Sequence, residues 1–132
     1  MKEPLILKSN LKELVRAQNY LFSIKEEKRW SADFFFRVEV SVLEAVRNAI
    51  VHGNKYGKDK VVVLNMFEDK DLILFRIIDE GKGFNRNGIA DPRQVSRRYL
   101  ENGRGLLIME ELSDKIIYSA NCVELFFSEG EC

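Results

Sequence analysis

Apolar residues recur at helical spacing through the first part of the chain, and this pattern predicts two amphipathic helices. The first runs towards Lys28, and Asn10 with Glu13 three residues later predicts a capping box at its start. The second begins at Asp33, its predicted N-cap, and ends near Gly53. The buried stripe of the first helix is expected to contain Leu11, Leu14, Val15, Gln18, Leu21 and Phe22. That of the second is expected to contain Phe34, Phe35, Val38, Val42, Ala45, Val46, Ala49 and Ile50.

Alternating or continuously apolar segments between polar turns predict the strands. These segments are residues 4–8, 60–67, 72–79, 115–119 and 123–127. The second and third are expected to pair as a hairpin around a four-residue turn at 68–71, and a short helix is expected over 105–112. The order of elements indicates an α/β fold, an α+β sandwich with a mixed, mostly antiparallel sheet and helices on one face. With 132 residues, the chain is expected to form a single domain over 1–132.

Residues 83–103 show no sustained pattern and contain Arg86, Arg93, Arg97 and Arg98. An irregular segment of this length is unusual in a compact domain unless it covers or binds a ligand. It joins two glycine-containing motifs, which favours a cover over a bound ligand. The alternative is a plain surface loop with a short helix near 95–100.

Composition narrows the classes of function. Lys and Arg together number 21, as do Asp and Glu, so the chain lacks the basic excess of a general nucleic-acid binder. The two cysteines, Cys122 and Cys132, have no metal-ligand spacing. No stretch approaches the roughly 18 apolar residues that span a bilayer, and the first residues do not resemble a secretion signal. A cytoplasmic location is therefore expected.

Candidate chemistry is concentrated first in the second predicted helix. Glu44, Asn48 and His52 follow one another at intervals of four residues, so one helix face presents a carboxylate, an amide and an imidazole. Carboxylate and amide oxygens suit Mg²⁺, and a carboxylate can also accept a proton from an attacking group. The alternative is a solvated helix face that carries three polar residues by chance.

Two glycine motifs follow. An apolar strand runs into Asp79, with Gly81 and Gly83 close behind. An Asp at a strand end can accept a hydrogen bond from an exocyclic amine, and the glycines allow a sharp turn close to a ligand. Gly103 and Gly105 open the later helix, where backbone N–H groups can bind an anion. Each motif alone also fits an ordinary turn or loop.

The order and spacing of the three motifs resemble the N, G1 and G2 boxes of the GHKL (Bergerat-fold, HATPase_c) ATPases. The residues within these boxes are most similar to those of the anti-sigma-factor serine kinases of the RsbW and SpoIIAB type. The motifs are the segments 44–53, 79–84 and 103–114. The resemblance covers nearly the whole chain and implies ATP and Mg²⁺ as cofactors, with an ATP lid over 84–102.

The resemblance also implies a role for each residue. Glu44 would be the general base, Asn48 would coordinate Mg²⁺, and Asp79 would bind the adenine amino group. Gly81 and Gly83 would shape the pocket floor, and the β- and γ-phosphates would meet Gly103, Arg104 and Gly105. His52 would hold Glu44 or the next loop in place, or be only a structural residue at the helix end. Arg47, beside Asn48, is expected to be a surface or partner residue.

The implied protein substrate is a serine of a STAS-type anti-sigma-factor antagonist, with a sigma factor as competing partner and a possible homodimer. Nucleic acid and membranes are not expected as partners. Two departures from the family pattern are a more basic lid and the segment 120–123, where a Gly-x-Thr turn is common.

Three alternatives compete with a kinase. The first is an ATP-binding module that sequesters a partner without turnover. The second is the catalytic domain of a histidine kinase, which would need a phosphoacceptor histidine, whereas His52 lies inside the nucleotide motif. The third, an ATPase that drives conformational closure, would need a long transducing domain.

Overall fold

The computed structural model describes residues 3–81 and 104–128, with side chains described from residue 108 onward in the second segment. The helices are α1 (Leu14–Lys28), α2 (Ala32–Asn48) and α3 (Arg104–Leu112). A 3₁₀ turn, Leu11–Glu13, precedes α1, and a π-helical segment, Ala49–Gly53, continues α2. The strands are β1 (Leu5–Lys8), β2 (Val61–Asp69), β3 (Leu72–Ile78), β4 (Lys115–Ser119) and β5 (Cys122–Ser128).

The five strands form one sheet in the order β1-β2-β3-β5-β4. All four pairings are antiparallel, so the predicted α/β sandwich is confirmed and its described strands contain no parallel pair. The predicted four-residue turn between β2 and β3 is wrong. Asp69 pairs with Leu72, which leaves only Lys70 and Asp71 in the turn, and Lys70 adopts a left-handed conformation with φ 56°.

The core lies between the helices and one face of the sheet. Buried residues alternate along β2, β3 and β5, as expected for strands with one covered face. Phe75 and Phe127 meet edge to face on neighbouring strands, with ring centroids 6.3 Å apart. The helices contribute Leu21, Ile24, Val38, Val42, Val46 and Ile50, all buried. This packing fixes the α2 face that the sheet covers, and hence the face left for the site.

The helix starts differ in detail from the predictions. Ser31, and not Asp33, is the N-cap of α2, because its side chain accepts a hydrogen bond from the Phe34 N–H. Asn10 does cap the 3₁₀ turn before α1 through the Lys12 N–H. Glu13 does not return to Asn10 as a capping box requires. It accepts instead from the Lys8 N–H at 2.9 Å, which joins the helix start to β1.

Arg37 joins α2 to the end of α3. Its Nε donates to the Leu112 carbonyl at 3.0 Å, and its Nη2 lies 3.1 Å from Asp114 Oδ1. The guanidinium also lies over the rings of Phe34 and Phe127. The helix that begins at Arg104 is thereby held against the helix that carries Glu44 and Asn48. Among the described residues, no helix has both the length and the apolar character needed to cross a membrane.

Candidate nucleotide site

The structure brings Glu44, Asn48 and His52 together on one wall. Glu44 and Asn48 lie in α2, whereas His52 lies in the π-helical segment, so the single regular helix predicted to carry all three is corrected. The wider turn is visible in the hydrogen bond from the Asn54 N–H to the Ala49 carbonyl, five residues earlier. Such π segments within helices are frequent at functional sites. The charge of His52 nevertheless acts on Glu44, which places the imidazole in the same cluster.

Glu44 is a partly desolvated carboxylate. Burial raises the pKa of Glu44 above its ordinary value of 4.5, and this effect outweighs the opposing effects of Arg47, His52 and Asn48. Arg47 Nη1 lies 3.8 Å from Glu44 Oε2, with 45% of the Arg47 side chain exposed. Arg47 is thus a surface residue, as predicted, and it also pairs with Glu44. A carboxylate with a raised pKa is a stronger proton acceptor, which suits a general base.

Asn48 is completely buried, yet neither polar atom of its side chain has a hydrogen-bond partner among the described residues. Asn48 lies close enough to Glu44 to lower its pKa, but no hydrogen bond of normal geometry joins the two side chains. Leaving a buried amide without partners costs stability, and native structures usually avoid it. Among the described residues, the Asn48 amide is therefore free to bind a further group.

Asp79 lies directly after β3, at the predicted strand end, and is 5% exposed. Its Oδ1 accepts a hydrogen bond from the Gly81 N–H at 2.9 Å. The Asp79 N–H donates to the Asn121 carbonyl at 2.8 Å. These bonds fold the segment after the strand into a tight turn that orients the carboxylate.

The backbone of Gly81 packs against the end of the helix wall. A β-carbon added to Gly81 would lie 2.3 Å from the Gly53 carbonyl oxygen, so only glycine allows this approach. The contact joins the wall that carries Glu44, Asn48 and His52 to the segment that carries Asp79. Two predicted motifs far apart in sequence are therefore neighbours in space.

Other predicted site residues are only partly covered by the structure. Arg104 and Gly105 form the start of α3, although the Arg104 side chain lies outside the described part. Gly83, Gly103 and the predicted lid at 84–102 lie outside the described residues as well.

Two asparagines that the sequence analysis did not single out also border the site. Asn54 is 2% exposed and binds the Glu80 N–H, and Asn121 Nδ2 binds the Gly81 carbonyl at 2.9 Å. Asn54 follows the predicted end of the second helix near Gly53, and Asn121 lies in the segment 120–123 that departs from the family pattern. A polar residue in a loop gives no signal of burial, so the sequence could not identify either role.

Most of the chain matches a known protein family. A family model described as a histidine kinase-like ATPase domain matches residues 7–128. The chain belongs to this family. The assignment confirms the predicted GHKL relationship and implies ATP binding.

Relatives of this ATPase domain include proteins named anti-sigma F factor. The chain is 32% identical to the one from Clostridium acetobutylicum over 117 residues, which is 83% of this chain and 81% of that protein. It is 33% identical to the one from Bacillus thuringiensis and 31% identical to the one from Bacillus cytotoxicus, each over 86 residues. These two alignments cover 64% of this chain and 59% of the Bacillus proteins.

Proposed function

We propose that the chain is an anti-sigma factor with ATP-dependent serine kinase activity. The observation that carries this proposal is the buried amide of Asn48, without a hydrogen-bond partner among the residues described, beside the desolvated carboxylate of Glu44. To bind a nucleotide, an ATP-binding fold needs only a group such as the Asn48 amide. The Glu44 carboxylate, whose pKa is raised, supports proton transfer as well as binding.

The proposed reaction transfers the γ-phosphoryl group of ATP to a serine hydroxyl of a protein substrate. The serine oxygen forms a bond to phosphorus while the bond between the γ-phosphorus and the β,γ-bridging oxygen breaks, which releases ADP. Glu44 accepts the hydroxyl proton. Most of the catalysis in such reactions comes from positioning and electrostatic stabilisation, and Glu44 contributes a base whose pKa burial has raised.

The other proposed site residues bind ATP and orient it for the reaction. Asp79 accepts a hydrogen bond from the adenine amino group, and Gly81 and Gly83 shape the pocket floor. Gly103, Arg104 and Gly105 contact the β- and γ-phosphates, where helix N–H groups and an arginine favour negative charge. His52 stays beside Glu44, where its charge lowers the pKa of the carboxyl.

The Asn48 amide fits a magnesium ligand. Its oxygen is a hard donor of the kind that Mg²⁺ takes, and its lack of a hydrogen-bond partner in the described part of the chain leaves it available. Mg²⁺, when bound there, would neutralise charge on the phosphates. Asn48 is completely buried, and burial restricts the positions that its amide can adopt.

The proposed partners are a sigma factor and a STAS-type antagonist that carries the phosphorylated serine. The names of the relatives support the sigma factor, and the antagonist rests on the resemblance. A protein partner is also supported by large apolar side chains on the helices: Val15, Phe22 and Phe36 are 59%, 51% and 56% exposed. Contiguous exposed apolar surface often marks protein contacts, and Val15 and Phe22 lie seven residues apart on α1, which places them on the same face of that helix. We include a homodimer in the proposal.

Transfer of labelled phosphate from ATP tests the kinase directly. Purified protein is incubated with radiolabelled ATP, Mg²⁺ and a STAS-domain protein with one candidate serine. Label on that serine, lost with Glu44→Ala and with substitution of the serine by alanine, supports the proposal. The exposed glutamate variant Glu26→Ala is the matched control and is expected to keep full transfer.

Absence of label despite tight ATP binding would instead favour a sequestering module without turnover. Binding of the sigma factor, measured by calorimetry with and without ATP, then shows whether nucleotide controls that association. Absence of both label and ATP binding in folded protein would contradict the proposed function.

A further inference from the structure

All three backbone N–H groups from Asp79 to Gly81, and the Gly81 carbonyl, have defined hydrogen-bond partners. The Asp79 N–H donates to the Asn121 carbonyl at 2.8 Å, and the Glu80 N–H donates to Asn54 Oδ1 at 2.7 Å. The Gly81 N–H donates to Asp79 Oδ1, and the Gly81 carbonyl accepts from Asn121 Nδ2, both at 2.9 Å. The short segment is therefore held from two sides, by asparagines from two different loops.

Both polar atoms of the Asn54 side chain form hydrogen bonds around the Asp79–Gly81 segment. Its Nδ2 donates to Ser9 Oγ at 2.9 Å and to the Val61 carbonyl at 3.0 Å, while its Oδ1 accepts from Glu80. Only an amide supplies two donors and an acceptor from one short side chain. The side chain thus joins the end of β1, the start of β2 and the segment after β3.

Asn54 is also fixed relative to the helix wall. Its backbone N–H donates to the Ala49 carbonyl at 2.8 Å, immediately after the π-helical segment that contains His52. Glu80 strengthens the same junction, since its Oε2 accepts from the Val61 N–H at 2.6 Å. The position of the Asp79 segment is therefore set by the end of the helix that carries Glu44 and Asn48.

Asn121 holds the segment from the opposite side. It lies in the turn between β4 and β5, with Ser119 paired to Cys122 around it. Its backbone carbonyl and its side-chain amide bind the first and last residues of the segment, Asp79 and Gly81. A displacement of either end would break a bond to the same residue.

We propose that Asn54 and Asn121 are positioning residues that clamp the Asp79–Gly81 segment and so set how the Asp79 carboxylate meets the nucleotide base. Neither side chain needs to touch the nucleotide. This inference rests on the proposed nucleotide site. Its specific consequence concerns base selectivity, because Asp79 accepts from the adenine amine whereas guanine has a carbonyl oxygen at the corresponding position.

Calorimetric titration with ATP and with GTP, each with Mg²⁺, tests the clamp. Asn54→Ala and Asn121→Ala are compared with wild type and with Asn19→Ala, an exposed asparagine on α1. Loss of one well-aligned hydrogen bond to the base lowers affinity about tenfold. The preference for ATP over GTP is therefore expected to fall about tenfold in both clamp variants and to stay within about twofold of wild type in Asn19→Ala.

A merely structural role would lower the melting temperature without changing the ratio of the two affinities. An unchanged ratio in folded clamp variants of a wild type that binds ATP would overturn the clamp and leave the proposed function intact. A wild type that binds no ATP would overturn both. Should Asn54→Ala not fold, Asn121→Ala decides the question alone, because it removes a single hydrogen bond of a hairpin turn.

Discussion

Gly81 and Gly53 pack backbone against backbone, so that a β-carbon on Gly81 would lie 2.3 Å from the Gly53 carbonyl oxygen. Real β-carbons do not approach a carbonyl oxygen this closely, and neither partner is a flexible side chain that could move away. Gly53 ends the predicted motif that contains Glu44, and Gly81 lies within the predicted motif that contains Asp79. Their contact is the point at which the helix wall and the strand end become one site.

Gly81→Ala is expected to separate the two walls. The added methyl group must displace the Gly53 carbonyl, which costs about 1–3 kcal/mol of the free energy of unfolding by analogy with other overpacked sites. ATP affinity, measured by calorimetry, is expected to fall with it. Gly57→Ala is the control with a smaller expected effect, since two of its three nearest contacts are with the flexible Lys60 side chain. Equal ATP affinity in Gly81→Ala and wild type would contradict this account.

Glu44→Gln is expected to stabilise the folded protein at neutral pH. Burial raises the pKa of Glu44 in the folded state above its ordinary value of 4.5. The folded state therefore holds the proton more tightly than the unfolded state, and stability falls as pH rises through this pKa. The amide removes this cost, so its gain in melting temperature should be present at pH 7 and fade below about pH 4.

Thermal melts of wild type and Glu44→Gln at pH 7 and below about pH 4 measure this gain in melting temperature. Glu26→Gln, on the exposed face of α1, is the control. Glu44→Gln is also expected to lower phosphoryl transfer at least about 100-fold, because it removes the proposed base. A variant that is less stable than wild type at pH 7 would show that the pairing of Glu44 with Arg47 outweighs its burial.

Asn48→Ala is expected to separate binding from stability. Because the Asn48 side chain has no hydrogen-bond partner among the described residues, its removal leaves none of those residues newly unpaired. The free energy of unfolding should therefore change by less than about 1 kcal/mol in a chemical denaturation series. Asn54→Ala, which breaks three side-chain hydrogen bonds, should cost roughly 1–3 kcal/mol.

Magnesium-dependent ATP affinity of Asn48→Ala is expected to fall at least about tenfold, since the proposed ligand is lost. Titrations with and without Mg²⁺ provide the measurement. An Asn48→Ala protein that binds ATP as wild type does in the presence of Mg²⁺ would rule out the assigned role of this amide.

Ser31→Ala is expected to destabilise α2 more than Asp33→Ala does. The Ser31 hydroxyl accepts from the Phe34 N–H at 3.1 Å, and loss of such a cap costs about 1 kcal/mol. Asp33 lies in the first turn, where a negative charge favours the helix by only about 0.3–1 kcal/mol and is screened by salt. Urea denaturation of both variants at low and high salt distinguishes the two residues. The reverse order of stability would restore Asp33 as the cap.

Much of the fold was predictable because short-range patterns specify it. Strand alternation placed β2, β3 and β5 within one or two residues, and apolar spacing identified both long helices. The predicted buried stripe of the first helix was partly wrong, because Leu11, Val15 and Phe22 are 41%, 59% and 51% exposed. Other errors fall where several residues could serve one local purpose. Ser31 and Asp33 can both cap a helix, and the strand pattern did not show that the β2–β3 ladder continues to Asp69 and Leu72.

The sequence by itself determined which chemical groups are present and which motifs contain them: Glu44, Asn48 and His52 in the helical motif, and Asp79 and Gly81 after a strand. Tertiary structure alone decided that Asn48 is buried with no hydrogen-bond partner in the described ranges 3–81 and 104–128, that Glu44 is desolvated, and that Asn54 and Asn121 hold the Asp79 segment. The physical reason is distance along the chain. Hydrophobic periodicity reports neighbours within a few residues, whereas burial, pKa shifts and hydrogen bonds across a site depend on groups that only folding brings together.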